Sequence, residues 1–374
     1  MEPDVHAEAR RYQREKLTST LVALALNFFA LFFLAFAVAP VLDESVRGIL
    51  GDNRWPRLIF FGVVTAAALE IITLPAEFWS SFILEHRYGL SNLTLRRWIG
   101  RRLKAYLVTG PIALAALVGG YALIWYLGHW WWVLATMAWL SFTLMLGLLL
   151  PVVILPLFFR VSRLEDSPLV ERLRRLIEGT GLRVEGIYRL NMSDVTRKAN
   201  AGLAGLGRSR RVLLGDTLLN EFSDDEIEVV FAHEVGHHVF HHLPKMLALQ
   251  AVLATVGLFL ADRTLVALTG SLNYHGTGTL AAWQDPSTLP LVLLVLGAAT
   301  LAVMPLLNGI SRMFERQCDR YALERTHLVD AYRTAFQKLA ILNKVDPDPP
   351  ALAVWFLEDH PPLRERLAMA DTFS

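Results

Sequence analysis

Charge is spread very unevenly along the chain. Six long runs carry almost none of it: 17–42, 58–84, 105–128, 130–159, 246–268 and 289–310. Each reaches the roughly 20 residues of helix needed to cross a bilayer. Two are imperfect, because Glu70 and Glu77 sit inside the second and Asp262 and Arg263 interrupt the fifth. The first run is too long for the apolar core of a signal peptide and no convincing cleavage site follows it, so it reads as a retained span. The pattern predicts a mainly α, polytopic membrane helix bundle of about six spans.

Between the runs the texture changes. Residues 198–214 interleave small, apolar and basic positions around Gly202, Gly205 and Gly207, which suits a hairpin with an exposed edge strand. Ser223 and Glu226 have the spacing of a capping box, and Asp224 and Asp225 suit the positive end of a helix that the pattern extends over 223–242. The expected layout is a membrane segment with four spans over 1–159, a small α+β segment over 160–245, two further spans over 246–310 and a C-terminal segment over 311–374.

The Lys and Arg bias orients this layout. Arg10, Arg11, Arg14 and Lys16 precede the first run, and Arg87, Arg96, Arg97, Arg101, Arg102 and Lys104 follow the second. The other side holds Arg47, Arg54 and Arg57, with nothing basic over 264–288. Six spans with an inside N-terminus place 160–245 and 311–374 together on the cytoplasmic side. The Arg-rich basic content points to a bacterial inner membrane.

Composition adds exclusions. At 54% hydrophobic and 19% charged, with a mean hydropathy of +0.39, the chain is too apolar for an ordinary soluble enzyme. A formal charge of +1 argues against a nucleic-acid partner. The single cysteine, Cys318, rules out an intrachain disulfide and a cysteine-based zinc cluster.

The chemistry is concentrated in HEVGHHVFHH, residues 233–242. His233 and His237 are four apart and project from one helix face on successive turns, so their imidazoles can share a metal. Glu234 lies beside them in the H-E-x-x-H pattern, in which two histidines hold zinc and the glutamate is the general base. His241 is about 12 Å from His233 along a helix axis and cannot share that ion. His238 and His242 point away from the His233 face. All three read first as polar residues of the cytoplasmic or membrane-interface surface, with a supporting or secondary metal role as the alternative.

A catalytic zinc takes three protein ligands and keeps an open position, so a third donor is required. After the sixth run comes SRMFERQCDRYALE, residues 311–324, in which Glu315 and Asp319 share a helix face. Spacing alone leaves two readings open. Glu315 completes a two-histidine, one-glutamate site with Asp319 hydrogen-bonded to a ligand imidazole; or both are solvated carboxylates paired with Arg312, Arg316 or Arg320. Cys318 points to another face and reads as a small buried thiol.

H-E-x-G-H followed by S-R-x-x-E-x-x-x-D resembles the type I CaaX prenyl proteases, integral-membrane zinc metallopeptidases, and their bacterial relatives. FILEHRYGLSNLTL (82–95), LPLFF (155–159), KANAGLAGLGRSRRVLLGDTLL (198–219) and DHPPLRERL (359–367) are similar to further elements of that family, in the same order. The resemblance implies one zinc ion held by His233, His237 and Glu315, with Glu234 as general base. It also implies that His360 lies in the active site as a donor to the oxyanion, and that Asp319 and Arg366 support the ligands. Asn200 and Ala201 are expected to hold the substrate backbone, although Asn200 also reads simply as a turn residue.

The expected partners are a peptide or protein substrate, prenylated or not, and membrane lipids. Eukaryotic members of the family remove the C-terminal tripeptide of prenylated CaaX proteins, and related bacterial membrane proteases degrade damaged membrane proteins. The eukaryotic enzymes have seven spans against the six expected here. Glu70 and Glu77, seven apart on one face, are expected to look into a water-filled cavity, unless Glu77 lies at the interface. Two other classes compete with a protease: a membrane binding protein with a structural zinc, and a scaffold in which the histidines are incidental.

Overall fold

The computed structural model describes residues 3–271, 274 and 280–373. Part of the loop noted above for lacking Lys and Arg, 272–273 and 275–279, lies outside them. In chain order the helices and strands of the N-terminal half are α1 (Pro3–Phe33), α2 (Ala39–Leu50), α3 (Arg54–Phe78), α4 (Leu84–Arg87), α5 (Leu95–Leu127), α6 (Trp131–Leu149), α7 (Leu155–Phe158), β1 (Val161–Arg163), α8 (Pro168–Ile177) and β2 (Gly186–Leu190). There follow β3 (Ala201–Ala204), β4 (Arg211–Gly215), α9 (Asp216–Glu221), α10 (Asp224–Val239), α11 (His242–Ser271), α12 (Leu289–Thr326), α13 (Val329–Leu342), α14 (Ala351–Phe356) and α15 (Leu363–Asp371).

Five helical stretches are long and apolar enough to cross a membrane: His6–Leu50, Arg54–Arg87, Leu95–Phe158, His242–Ser271 and Pro286–Thr326. The third doubles back at Gly128, whose φ of +53° suits glycine. Arg101 at the start of α5 donates to the carbonyl of Phe158 at 2.7 Å, so α5 and the α6–α7 leg run antiparallel. The six predicted runs therefore each fall on a helical leg. Proline explains the one-turn π segments in these legs. Pro40 follows Leu34–Val38, Pro75 precedes Trp79–Ile83, and Pro151 opens Leu150–Ile154; each removes a backbone donor and lets the turn widen.

The part outside the long apolar helices is built on a four-stranded sheet in the order β1-β2-β4-β3. β2 and β4 are parallel, while β1 and β3 flank them antiparallel. β3 is thus an edge strand, joined to β4 by a hairpin in which Gly205 has φ +99°, and a Cβ there would lie 2.5 Å from the Ser209 carbonyl oxygen. Val212 and Leu214 of β4, Leu173 of α8, Phe231 and Val235 of α10, Ala322 and Leu323 of α12 and Tyr332 of α13 form one buried core. The capping box is present: the Ser223 amide donates to Glu226 Oε2 at 2.8 Å and the Glu226 amide to Ser223 Oγ at 3.3 Å.

Two expected segment edges fall inside continuous helices. α11 and α12 run through positions 245–246 and 310–311 without a break. At 1.5 Å per residue the 38 residues of α12 extend about 57 Å, enough to cross a bilayer and continue into the core packed on the sheet. One rigid rod therefore carries both a span and the Glu315–Asp319 pair.

The segment 82–95 has a bracing role. Leu90 accepts from the Arg197 amide at 3.0 Å, and the Asn92 amide donates to Val195 at 3.0 Å. Glu85 accepts from Tyr12 at 2.7 Å, and its carboxylate pairs with Lys16 and Lys198, each at 2.9 Å. These bonds tie the entry to β3 onto α1 and α4.

Candidate active site

α10 crosses α12 closely because Gly236 has no side chain: a Cβ there would stand 3.1 Å from the Cα of Cys318. The crossing brings four predicted residues together. His233 Nε2 lies 3.0 Å from Glu315 Oε2, and His237 Nε2 lies 3.3 Å from Glu315 Oε1. His233 Nδ1 is 2.9 Å from Asp319 Oδ1. Asp319 has no solvent exposure and Glu315 almost none, so both carboxylates depend on partners.

Arg366 from α15 supplies one of them. It donates through Nε to Asp319 Oδ2 at 2.9 Å and through Nη2 to Oδ1 at 2.5 Å, a two-point bond that suits a planar guanidinium. Its charge also sits 3.8 Å over the Phe336 ring. His360 reaches the same carboxylate cluster from the loop before α15: its Nε2 is 3.5 Å from Glu315 Oε2, and its Nδ1 is 2.7 Å from Asp359 Oδ1. The hydrogen bond to Asp359 raises the His360 pKa.

Burial works against a charged His233, but the hydrogen bond it donates to Asp319 and the nearby Glu315 carboxylate outweigh it and lift the pKa to about 9. A metal would replace that proton. The donor set fits one. Two imidazole nitrogens and a carboxylate converge, and the buried Glu315 Oε2 has no aligned hydrogen-bond donor although His233 Nε2 is close by. A cation between them would satisfy that oxygen. Cys318 Sγ also lies within 4.8 Å of ring nitrogens of both histidines, and it packs on the α10 backbone at Gly236 and on His242.

A cavity of about 890 Å³ opens onto this cluster. His233, Glu234 and His360 line it, together with Ala199, Asn200 and Ala201 at the start of β3. Glu234 makes no ion pair among the described residues. Leu17, Thr18 and Leu21 of α1 also line the cavity. Asn343 clamps the approach to the strand, accepting from the Ala199 amide at 2.9 Å and donating to its carbonyl at 3.1 Å. The Asn200 side chain is exposed, and no strand pairs with the outer edge of β3 among the described residues.

Glu70 and Glu77 do not line this cavity. Both pair with Arg102 of α5, and Glu70 also accepts from Tyr106, so they bridge neighbouring helices. Among the other histidines, His238 Nδ1 lies 2.6 Å from Arg210 Nη1 and His241 is exposed. His242 is buried against His237, with the two Nδ1 atoms 3.1 Å apart. Continuous helical geometry through 242 hides that contact. α10 ends at Val239, and His241 adopts a left-handed backbone with φ +57°.

Comparison with known proteins decides the class. Residues 163–373 match Peptidase family M48, and residues 1–160 match the CAAX prenyl protease N-terminal family, described as having five membrane helices. The chain belongs to peptidase family M48. Its N-terminal 160 residues hold four long helical legs where the description of that M48 membrane domain has five helices.

Among M48 relatives, the metalloprotease YhfN of Bacillus subtilis is 28% identical over 375 residues, covering 99% of this chain and 86% of that protein. CAAX prenyl protease 1 of Saccharomyces cerevisiae is 27% identical over 364 residues, covering 90% and 76%. A crystal structure of S. mikatae Ste24p superposes with a TM-score of 0.80 at 24% identity, over 99% of this chain and 89% of that one, and shows a common fold. The protein is an integral-membrane metalloprotease, and its family implies a metal in the site.

Proposed function

We propose that this M48 protease is a zinc endopeptidase acting on membrane-associated or lipidated polypeptides, with one ion held by His233, His237 and Glu315. The observation that carries the reading is the convergence of both Nε2 atoms on Glu315 beside Glu234, in a cavity that also borders the free edge of β3. When bound, zinc supplies Lewis acidity to the attacking water and the scissile carbonyl.

The chain's own groups do the rest. A substrate segment adds to the edge of β3, using backbone hydrogen bonds that are indifferent to side-chain identity. Ala201 presents its backbone, and the Asn200 amide is available for a further bond. Glu234 takes a proton from the water as its oxygen attacks the carbonyl carbon, and returns it to the amine nitrogen as the C–N bond breaks. His360, held by Asp359 with its imidazole facing the cavity, donates to the carbonyl oxygen as negative charge develops there. Asp319 keeps the proton on His233 Nδ1, leaving Nε2 free for the ion, and Arg366 offsets the charge of this buried carboxylate.

The apolar wall formed by Leu17 and Leu21 supports a substrate tethered by a greasy anchor, CaaX-type tails among them. The N-terminal turns of α1, with Arg10 and Arg14, line the same cavity as the site, which supports a common cytoplasmic side under the positive-inside rule. The match to a Bacillus protease over nearly the whole chain supports a bacterial inner membrane.

The test uses detergent-purified protein and one CaaX peptide in two forms, farnesylated and unmodified, with Glu234→Gln as the blank and products identified by mass. Cleavage of the farnesylated form alone assigns lipid-dependent processing. Equal cleavage of both, absent in the variant, assigns broad membrane proteolysis. Identical products from parent and variant would remove Glu234 as the base.

A further inference from the structure

His242 has no part in the reaction as described, yet it is among the most constrained histidines in the chain. It is 4% exposed, its ring stacks on Phe314 with centroids 4.1 Å apart and planes 6° from parallel, and Phe240 stacks at 5.7 Å. Residues five apart on an unbroken helix are about 140° apart around the axis and do not meet. The left-handed turn at His241 removes that limit and restarts the chain as α11 with His242 turned back towards His237.

Two contacts then define a line of hydrogen bonds. His242 Nε2 lies 2.9 Å from Gln317 Oε1, and His242 Nδ1 lies 3.1 Å from His237 Nδ1. A carbonyl oxygen only accepts, so His242 carries its proton on Nε2 and presents Nδ1 as an acceptor. His237 must then donate from Nδ1, which strips its Nε2 of hydrogen on the side that faces Glu315.

We propose that His242 is a positioning residue for His237: with Gln317 behind it, it fixes the His237 ring and the tautomer that leaves Nε2 free to bind the ion. The proposal rests on the metal reading above. It completes a symmetry that spacing does not reveal. His233 is oriented through Nδ1 by Asp319, and His237 through Nδ1 by His242. The two supports differ in charge. A carboxylate raises the basicity of its imidazole, whereas a neutral imidazole chiefly fixes orientation, so His237 is the more weakly held ligand.

The experiment measures zinc affinity of the full-length protein in detergent by competition with a chelator, alongside the visible spectrum of the cobalt-substituted form. His242→Phe keeps the stacking and removes the acceptor; zinc affinity should fall roughly 10- to 100-fold, and the cobalt spectrum should change. His242→Asn, whose side-chain oxygen can stand where Nδ1 stood, should recover most of that loss. Unchanged affinity in His242→Phe would overturn the proposal.

In the parent protein, the ¹⁵N shifts of the His242 ring should report a proton on Nε2. The opposite tautomer would also overturn it, whether or not the Phe variant folds. Glu315→Gln separates the two levels of the argument. If it and the parent bind zinc equally, the metal site itself is misassigned, whereas failure of the His242 variants alone removes only the support.

Discussion

Two clusters of buried charge stand at opposite ends of the long helices, and they are built differently. At one end Arg57 and Asp285, both without solvent exposure, meet Asp43 and Arg47. Arg57 lies 2.7 Å from Asp285, and Arg47 lies 2.6 Å from Asp43 and 3.2 Å from Asp285. Two arginines face two aspartates, and their charges cancel. At the other end Glu234, Glu315 and Asp319 stand with Arg366, so three carboxylates against one guanidinium leave two negative charges in excess when the imidazoles are neutral. That cluster also holds an unsatisfied buried oxygen and opens into a cavity. A balanced cluster ties α2, α3 and the start of α12 together. An unbalanced one calls for a cation. Charge surplus and access, rather than burial itself, distinguish the site from the strut.

The comparison makes predictions that can break it. The largest effect belongs to Glu315→Gln, which keeps the shape of the carboxylate and removes its charge. Peptidase activity should fall to background and zinc should be lost in a chelator titration, while the far-ultraviolet circular dichroism stays that of the parent. Retention of full zinc affinity would mean that the surplus charge has another purpose.

Asp285→Asn should act in the opposite way. It leaves Arg57 and Arg47 sharing one aspartate, at a cost of about 3–5 kcal/mol for a broken buried pair. The thermal midpoint in detergent should drop by several degrees with zinc stoichiometry unchanged. A parent-like midpoint would show that this cluster is not a strut.

The smallest effect is at Asp216, whose buried carboxylate accepts from the Met192, Ser193 and Thr217 amides at 2.7, 3.0 and 3.0 Å, and from the Ser193 hydroxyl at close range. Burial alone would raise its pKa, but these bonds hold it below the usual carboxylate range. A depressed pKa contributes stability that is present above the ordinary Asp range and lost as pH falls through the folded-state value. Asp216→Asn should therefore flatten the acid limb of a stability-versus-pH curve near pH 4 and below. An unaltered acid limb would remove Asp216 as the clamp on the loop that leads into β3.

Much of this was readable in the sequence. Period and length placed the six legs, because a bilayer demands uninterrupted apolar helix. The four-residue spacings of His233 with His237 and of Glu315 with Asp319 are local properties of helices, so each pair could be put on one face before any packing was known. The S-x-x-E cap and the glycine-rich hairpin were equally local. His242 was not legible, because its contact depends on a backbone reversal at His241 that a helical projection ignores. Glu70 and Glu77 were drawn towards a cavity by their cost in hydrocarbon, when the partner that satisfies them, Arg102, lies on another helix. Asn343 lies in no motif, and Asp359 opens DHPPLRERL without being singled out there; both gain meaning only from what they touch.

The sequence by itself determined the membrane-spanning legs, the shared helix faces of His233 with His237 and of Glu315 with Asp319, the edge-strand hairpin and the family. These follow from periodicities of 3.6 and 2 residues and from side-chain chemistry. Only the tertiary structure decided that α10 and α12 meet at Gly236, that Arg366 pairs with Asp319, that α12 carries a span and Glu315 on one rod, and that His242 turns back onto His237. Those relations join residues tens of positions apart, or depend on one left-handed residue. They are settled by packing and by the need of every buried polar group for a partner, which no local pattern encodes.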